Sequence, residues 1–139
     1  MAIFLNNKVG FKIATVDLSD HVTAVTINRQ VDQLEVTAMG DTAHKFVAGL
    51  EASTIAVSFL NDTATASVLQ TLQDAFGTTV AVSMIQEKGT AVSATNKTYA
   101  TTVLVDNLTD INGAVADEAT IDITFTCNSK IVPSSSTAF

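Results

Sequence analysis

Two histidines, one cysteine, one arginine and a cluster of carboxylates are the residues whose types could do chemistry in this 139-residue chain. His21 stands in "DLSDHV", beside Asp17, Ser19 and Asp20. A Ser19–His21–Asp20 relay can be drawn on paper. Triad groups must converge from backbones set apart, and these share one short run. The expected reading is a turn, with Asp and Ser satisfying local amides. His44 has no evident partner. Cys127 sits in "IDITFTCN", a strand pattern, and reads as a small buried hydrophobe with no base to make it a thiolate. "DNLTDINGAVADE" invites a cation. With Gly113 at the sixth position of a calcium loop, Leu108 and Ala119 fall where carboxylates are required, so the EF-hand is excluded. A looser set of Asp106, Asp110 and Asp117 remains, weighed against a solvated acidic turn. Asp117 and Glu118 could act as an acid/base pair, but no pocket is implied. Arg29 reads as a salt-bridge or subunit-contact residue. No phosphate loop, CxxC pair or nucleophile elbow occurs. There is no Trp and a single Tyr, Tyr99, which is poor equipment for stacking on sugars or bases. The expectation is a binding or structural module: no enzyme, no cofactor, no metal.

Composition points the same way. Charged residues are 15%, well below the usual quarter, while hydrophobic residues reach 47%. Low charge fits a surface covered by partners. The net charge of −7 argues against gripping nucleic acid, which needs Lys and Arg on phosphates. A lone cysteine excludes an intrachain disulfide. "MAIFLNNK" is too short and too poorly charged for a signal peptide, and no apolar run reaches membrane-spanning length, so no membrane role and a cytoplasmic origin are expected. The Asn-x-Thr triplets at Asn61, Asn96 and Asn107 then carry no meaning for glycosylation.

Most of the chain alternates with period two. Apolar positions recur at Val9–Phe11–Ile13, Val25–Ile27, Leu34–Val36–Ala38, Ile55–Val57–Phe59, Val80–Val82–Met84, Tyr99–Thr101–Val103–Val105 and Ile121–Ile123–Phe125–Cys127. One segment breaks the pattern. "NDTATASVLQTLQDAFG" has helical spacing and predicts a helix over about residues 64–75, capped by Asp62 or Thr63 and ended by Gly77. Lys88-Gly89 and Asn112-Gly113 predict turns. Residues 1–132 read as one mainly β domain, a β-sandwich or partial barrel with one flanking helix, and 133–139 as a Ser-rich tail.

"LEVTAMGDTAHKFVAGL", residues 34–50, interrupts this regularity. A twelve-residue break between strands is unusual in a compact domain. Phe46, Val47 and Leu50 want burial, which argues against disorder. The segment reads as a docking arm, with Gly40 and Gly49 as hinges, Asp41, His44 and Lys45 as polar positions, and Phe46 and Val47 as anchors.

"LSDHVTAVTINRQVDQLEVTAMGDTAHKFVAGLEASTIAVSFLND", residues 18–62, resembles the tail tube proteins of long-tailed bacteriophages and related small virion proteins. The shared pattern runs from Ser19-Asp20 through Ile27-Asn28-Arg29 to "VTAMGD", "AGL" and Asn61-Asp62. It covers about a third of the chain closely. The resemblance implies a homo-oligomer located in the virion and assembled in the host cytoplasm alongside other tail and head proteins. It implies rings of six subunits, stacked into a tube for DNA ejection, whose inner strands complete an inter-subunit β-barrel. Four strands from each subunit would make a barrel of about 24 strands, roughly 48 Å across the backbone. DNA would pass without specific binding, repelled by an acidic lining for which Asp32, Gln33 and Glu35 are the candidates. Two alternatives stay open: a capsid decoration or head–tail joining protein of the same fold, and a virion carbohydrate-binding module.

Overall fold

A computed structural model describes residues 8–139. The apolar run at residues 3–5, read above as too short for a signal peptide, lies outside them. Ten strands and one α-helix follow in the order β1 (Gly10–Ile13), β2 (Val16–Asp17), β3 (Val22–Asn28), β4 (Val31–Glu35), β5 (Phe46–Glu51), β6 (Thr54–Leu60), α1 (Val68–Ala75), β7 (Thr79–Ile85), β8 (Thr98–Leu104), β9 (Thr120–Cys127) and β10 (Val132–Ser134). A 3-10 turn at Ser19–His21 precedes β3. The fold is mainly β with one helix, as the alternation predicts.

Eight strands join one antiparallel sheet in the order β2-β1-β7-β8-β9-β6-β3, with β10 also on β8. The sheet folds on itself where β8 meets β9. Only Val103↔Cys127 and Leu104↔Thr126 pair there. The fold brings Phe11 of β1 against Phe59 of β6, ring centres 5.6 Å apart, and against Phe125 of β9, 6.2 Å apart. Alternate residues of each strand supply this core: Ile55, Val57 and Phe59 from β6, and Ile121, Ile123 and Phe125 from β9, all buried. Val68, Leu72 and Ala75 present the buried stripe of α1 to the same core.

Four expectations need correction. The helix starts at Val68, not residue 64. Asp62 instead locks a turn there, accepting hydrogen bonds from the Ala64 N–H at 2.9 Å and the Ser67 hydroxyl at 2.8 Å. Asn112-Gly113 is not the turn centre. The chain reverses at residues 114–117, where the Asp117 N–H donates to the Ala114 carbonyl and Ala116 takes φ +64°. The Ser-rich tail is not separate from the domain, because Pro133 and Ser134 belong to β10, paired with Tyr99 and Thr98. Finally, Leu34 and Val36 do not face the core; both are about half exposed.

Candidate assembly interface: a projecting hairpin

β3 and β6 pair within the sheet, then continue outward as β4 and β5. Ala52 donates to the Gln30 carbonyl at 2.7 Å at the crossover. Beyond it, among the described residues, β4 and β5 pair only with each other, as a separate two-stranded sheet. So residues 39–50 are not one loop: Phe46, Val47, Gly49 and Leu50 form strand β5, and the connection is limited to residues 36–45. That turn is well tied. The Val36 N–H donates to the Lys45 carbonyl at 2.8 Å, and the Lys45 N–H to the Thr37 hydroxyl at 2.9 Å. Gly40 takes φ +89° between Ala38 and Asp41, a conformation that favours glycine. Asp41 accepts from the Ala38 N–H at 2.7 Å and pairs with the Lys45 ammonium at 2.9 Å; the amide first and the ammonium second hold its carboxyl below the usual range.

Gly40 therefore shapes a turn. Gly49 is not a hinge. It sits inside β5, where a Cβ would come within 3.2 Å of the Asp32 Cβ. The pairing shifts by one residue there, between Val31↔Glu51 and Gln33↔Ala48. His44 does find a partner, the Glu35 carboxylate, and its ring lies 6.5 Å from that of Phe46.

The register sorts the hairpin into two faces. Gln33↔Ala48 and Glu35↔Phe46 share one; Leu34↔Val47 lie on the other. Phe46 and Val47 thus point opposite ways. Asp32 points away from Gln33 and Glu35, so the three expected lining residues cannot form one wall. Leu34 is 53% exposed, Leu50 82%, and every residue of β4 is exposed. An isolated two-stranded hairpin is marginal in water, and this one carries exposed apolar residues, among them Leu34, Val47 and Leu50.

At the hairpin base, Arg29 lines a groove of about 340 Å³ with Val25, Ile27, Met84 and Tyr99. Among the described residues Arg29 forms no ion pair. Its groove position was not readable from sequence, because Val25 and Ile27 look like ordinary core positions and are only half-buried.

The other chemical candidates do not converge. His21 pairs with Asp62 at 2.9 Å, Ser19 with Asp17 and the Phe11 backbone, so the imagined relay is divided between two pairs. Cys127 is half-buried, and that burial pushes its thiol up, away from the reactive thiolate. Asp106, Asp110, Asp117 and Glu118 are exposed, and no group of three or more metal-ligating side chains gathers among the described residues. Among the described residues no helix is long and apolar enough to cross a membrane.

A folded-over antiparallel sheet with one helix and a long projecting hairpin defines a mainly β, sandwich-like fold. Solved structures share it. A chain of the virion of a native gene transfer agent particle superposes with a TM-score of 0.73 over 95% of this chain and 99% of that one, at 11% identity. A chain from the tail of an empty gene transfer agent particle, of C6 symmetry, gives 0.66 over 96% and 99%, at 12% identity. No protein-family model matches the sequence, and no curated protein matches it.

Proposed function

We propose that this chain is a structural virion protein, the tail tube subunit of a phage-like particle. Copies assemble into rings of six, and the rings stack into the conduit through which DNA is ejected. One observation carries the reading: the fold corresponds over nearly the full length of both chains to a component of a tail with C6 symmetry. The hairpin supports it. A protruding ribbon with exposed Leu34, Val36, Val47 and Leu50 needs a partner surface, and other copies of this chain supply one in a ring or stack. In this role the protein works with other tail and head proteins, resides in the virion after assembly in the host cytoplasm, performs no catalysis and needs no cofactor. DNA passes without being held, as the net charge of −7 favours. Arg29, at the hairpin base, contacts a neighbouring subunit.

Concentrated purified protein viewed by negative-stain electron microscopy tests this. Hollow tubes or six-fold rings are expected. Trimers that bind only to capsids would replace the reading with the decoration alternative, and binding on a glycan array would favour the carbohydrate-binding one.

A further inference from the structure

Asn112-Gly113 predicts a turn by sequence, yet the chain reverses further on, at residues 114–117. The pair is left in the β8–β9 connection, outside any strand or helix, with both residues exposed. Asn112 is the only asparagine of the chain that precedes a glycine. Its side-chain Nδ2 donates to the Thr120 hydroxyl at 3.2 Å, and its main-chain carbonyl accepts from the Thr120 N–H, also at 3.2 Å. Among the described residues the Gly113 N–H donates no hydrogen bond.

We propose that Asn112 is a self-modification site, where the chain converts its own amide to aspartate and isoaspartate in water alone; the inference stands apart from the tube reading. Hydroxide takes the proton of the Gly113 N–H. The nitrogen's electron pair forms a bond to Asn112 Cγ, and the Cγ–Nδ2 bond breaks. The departing nitrogen takes a proton from water and leaves as ammonia. Water then opens the cyclic imide. Opening at Cγ restores the main chain and gives aspartate. Opening at the main-chain carbonyl sends the chain through the side-chain carbons and gives isoaspartate. No electron changes hands, so no oxidant or reductant is required.

The geometry suits each step. Both reacting groups belong to adjacent residues, so ring closure is intramolecular. A Cβ on the attacking residue would crowd the approach and stiffen the backbone, and Gly113 has none. An exposed, irregular connection can make the rotation that closure needs, because little packing opposes it. The chain's other asparagines lack this combination. Asn96 is buried, its amide bonded to the Glu87 and Thr90 carbonyls, and Lys97 follows it. Asn107 donates to the Thr124 carbonyl at 3.0 Å and precedes Leu108. Asn128 donates to the Thr79 hydroxyl at 3.0 Å and precedes Ser129.

The place of the product gives it weight. The Asn61 N–H donates to the Ala119 carbonyl at 2.9 Å, so the connection is rooted at the end of β6 away from the hairpin. Ile111 and Val115 there are 94% and 100% exposed, and the new carboxylate falls between them in sequence. It joins Asp106, Asp110, Asp117 and Glu118 in a stretch without Lys or Arg. One neutral amide becoming one carboxylate takes the net charge from −7 to −8. Chains of different age therefore present different surfaces on this loop.

Incubation of the full-length protein in warm, mildly alkaline buffer, followed by peptide mass spectrometry and ion exchange, tests the site. The peptide holding Asn112 should show progressive loss of its amide, with ammonia released and aspartate and isoaspartate both formed, while Asn96, Asn107 and Asn128 stay intact. Gly113→Ala should keep the amide over the same incubation. That variant retains the fold, because its Cβ would stand 3.6 Å from the Ala119 Cβ, an ordinary contact. A synthetic peptide of residues 108–117 serves as the unfolded reference. Conversion of that peptide with Asn112 intact in the protein would overturn the proposal, since the fold would then be protecting the amide. Equal loss in Gly113→Ala, or loss at Asn107 or Asn128 as fast as at Asn112, would overturn it too.

Discussion

Asp17 accepts hydrogen bonds from the backbone N–H and hydroxyl of Ser19 and pairs with the Lys88 ammonium at 2.8 Å. Partial burial alone would push its carboxyl up, but Lys88 and Ser19 together outweigh that and hold it below the ordinary range. A depressed folded-state pKa means that the unfolded chain binds the proton first as pH falls. The stabilisation is therefore complete above the normal carboxylate range, near pH 4, and is lost below it. Thermal melts between pH 5 and pH 3 should show the melting temperature falling, and Asp17→Asn should flatten that fall; an unchanged slope would remove Asp17 from the acid limb. Asn96 makes a sharper case. Its buried amide accepts from the Glu87 N–H at 3.0 Å and donates to the Glu87 and Thr90 carbonyls at 3.1 and 3.3 Å, knotting the β7–β8 connection. Asn96→Ala leaves those backbone groups without their partner and should cost about 1–3 kcal/mol in chemical denaturation. In the sequence Asn96 is only one of three Asn-x-Thr triplets. What makes it structural is a turn closing around it, which local residue types do not announce.

At the scale of elements, period two located the inner faces of β6, β7 and β9 because burial on one side writes itself into every second residue. It failed where that cause is missing. β4 and β5 are exposed on both faces, so nothing forces their residues to alternate with a core, and β5 read as the second half of a loop. β2 and β10 span two and three residues, too few for any period to register. The helix was found by its buried stripe, but its start was not, since Asp62 favours a preceding turn as readily as a cap. The same exposure that hid the hairpin gives it a test. Leu34 and Val47 lie opposite each other on one face and touch no core. Replacing both with Ser should change the stability of the dispersed subunit by no more than about 0.5 kcal/mol each, as for ordinary surface sites. Sedimentation at assembly concentrations should show tube formation weakened or lost. Full assembly of the double variant would mean that this face meets solvent in the particle.

The whole molecule combines a net charge of −7 with an apolar arm and few charged residues overall. These features oppose each other in assembly. Every copy added to a ring or stack brings more negative charge close to what is already there. The exposed Leu34, Val36, Val47 and Leu50 gain only when they leave water, at about 25 cal/mol per Å² covered. Burial of this kind is insensitive to modest salt, whereas repulsion between exposed carboxylates is not. Screening length falls from about 30 Å at 10 mM to about 8 Å at 150 mM ionic strength. At low salt a copy therefore feels the charge of whole neighbours; at physiological salt it feels only what lies at the contact. The critical concentration for assembly should fall as sodium chloride rises through this range, measured by light scattering and confirmed by electron microscopy. The hairpin's own ion pairs do not reverse this. Asp41–Lys45 and Glu35–His44 are satisfied within one chain, and such exposed pairs contribute little. The opposite result, a critical concentration that rises with salt, would show that copies are held by ion pairs between chains. Arg29, at the base of the hairpin, would then be the first residue to replace.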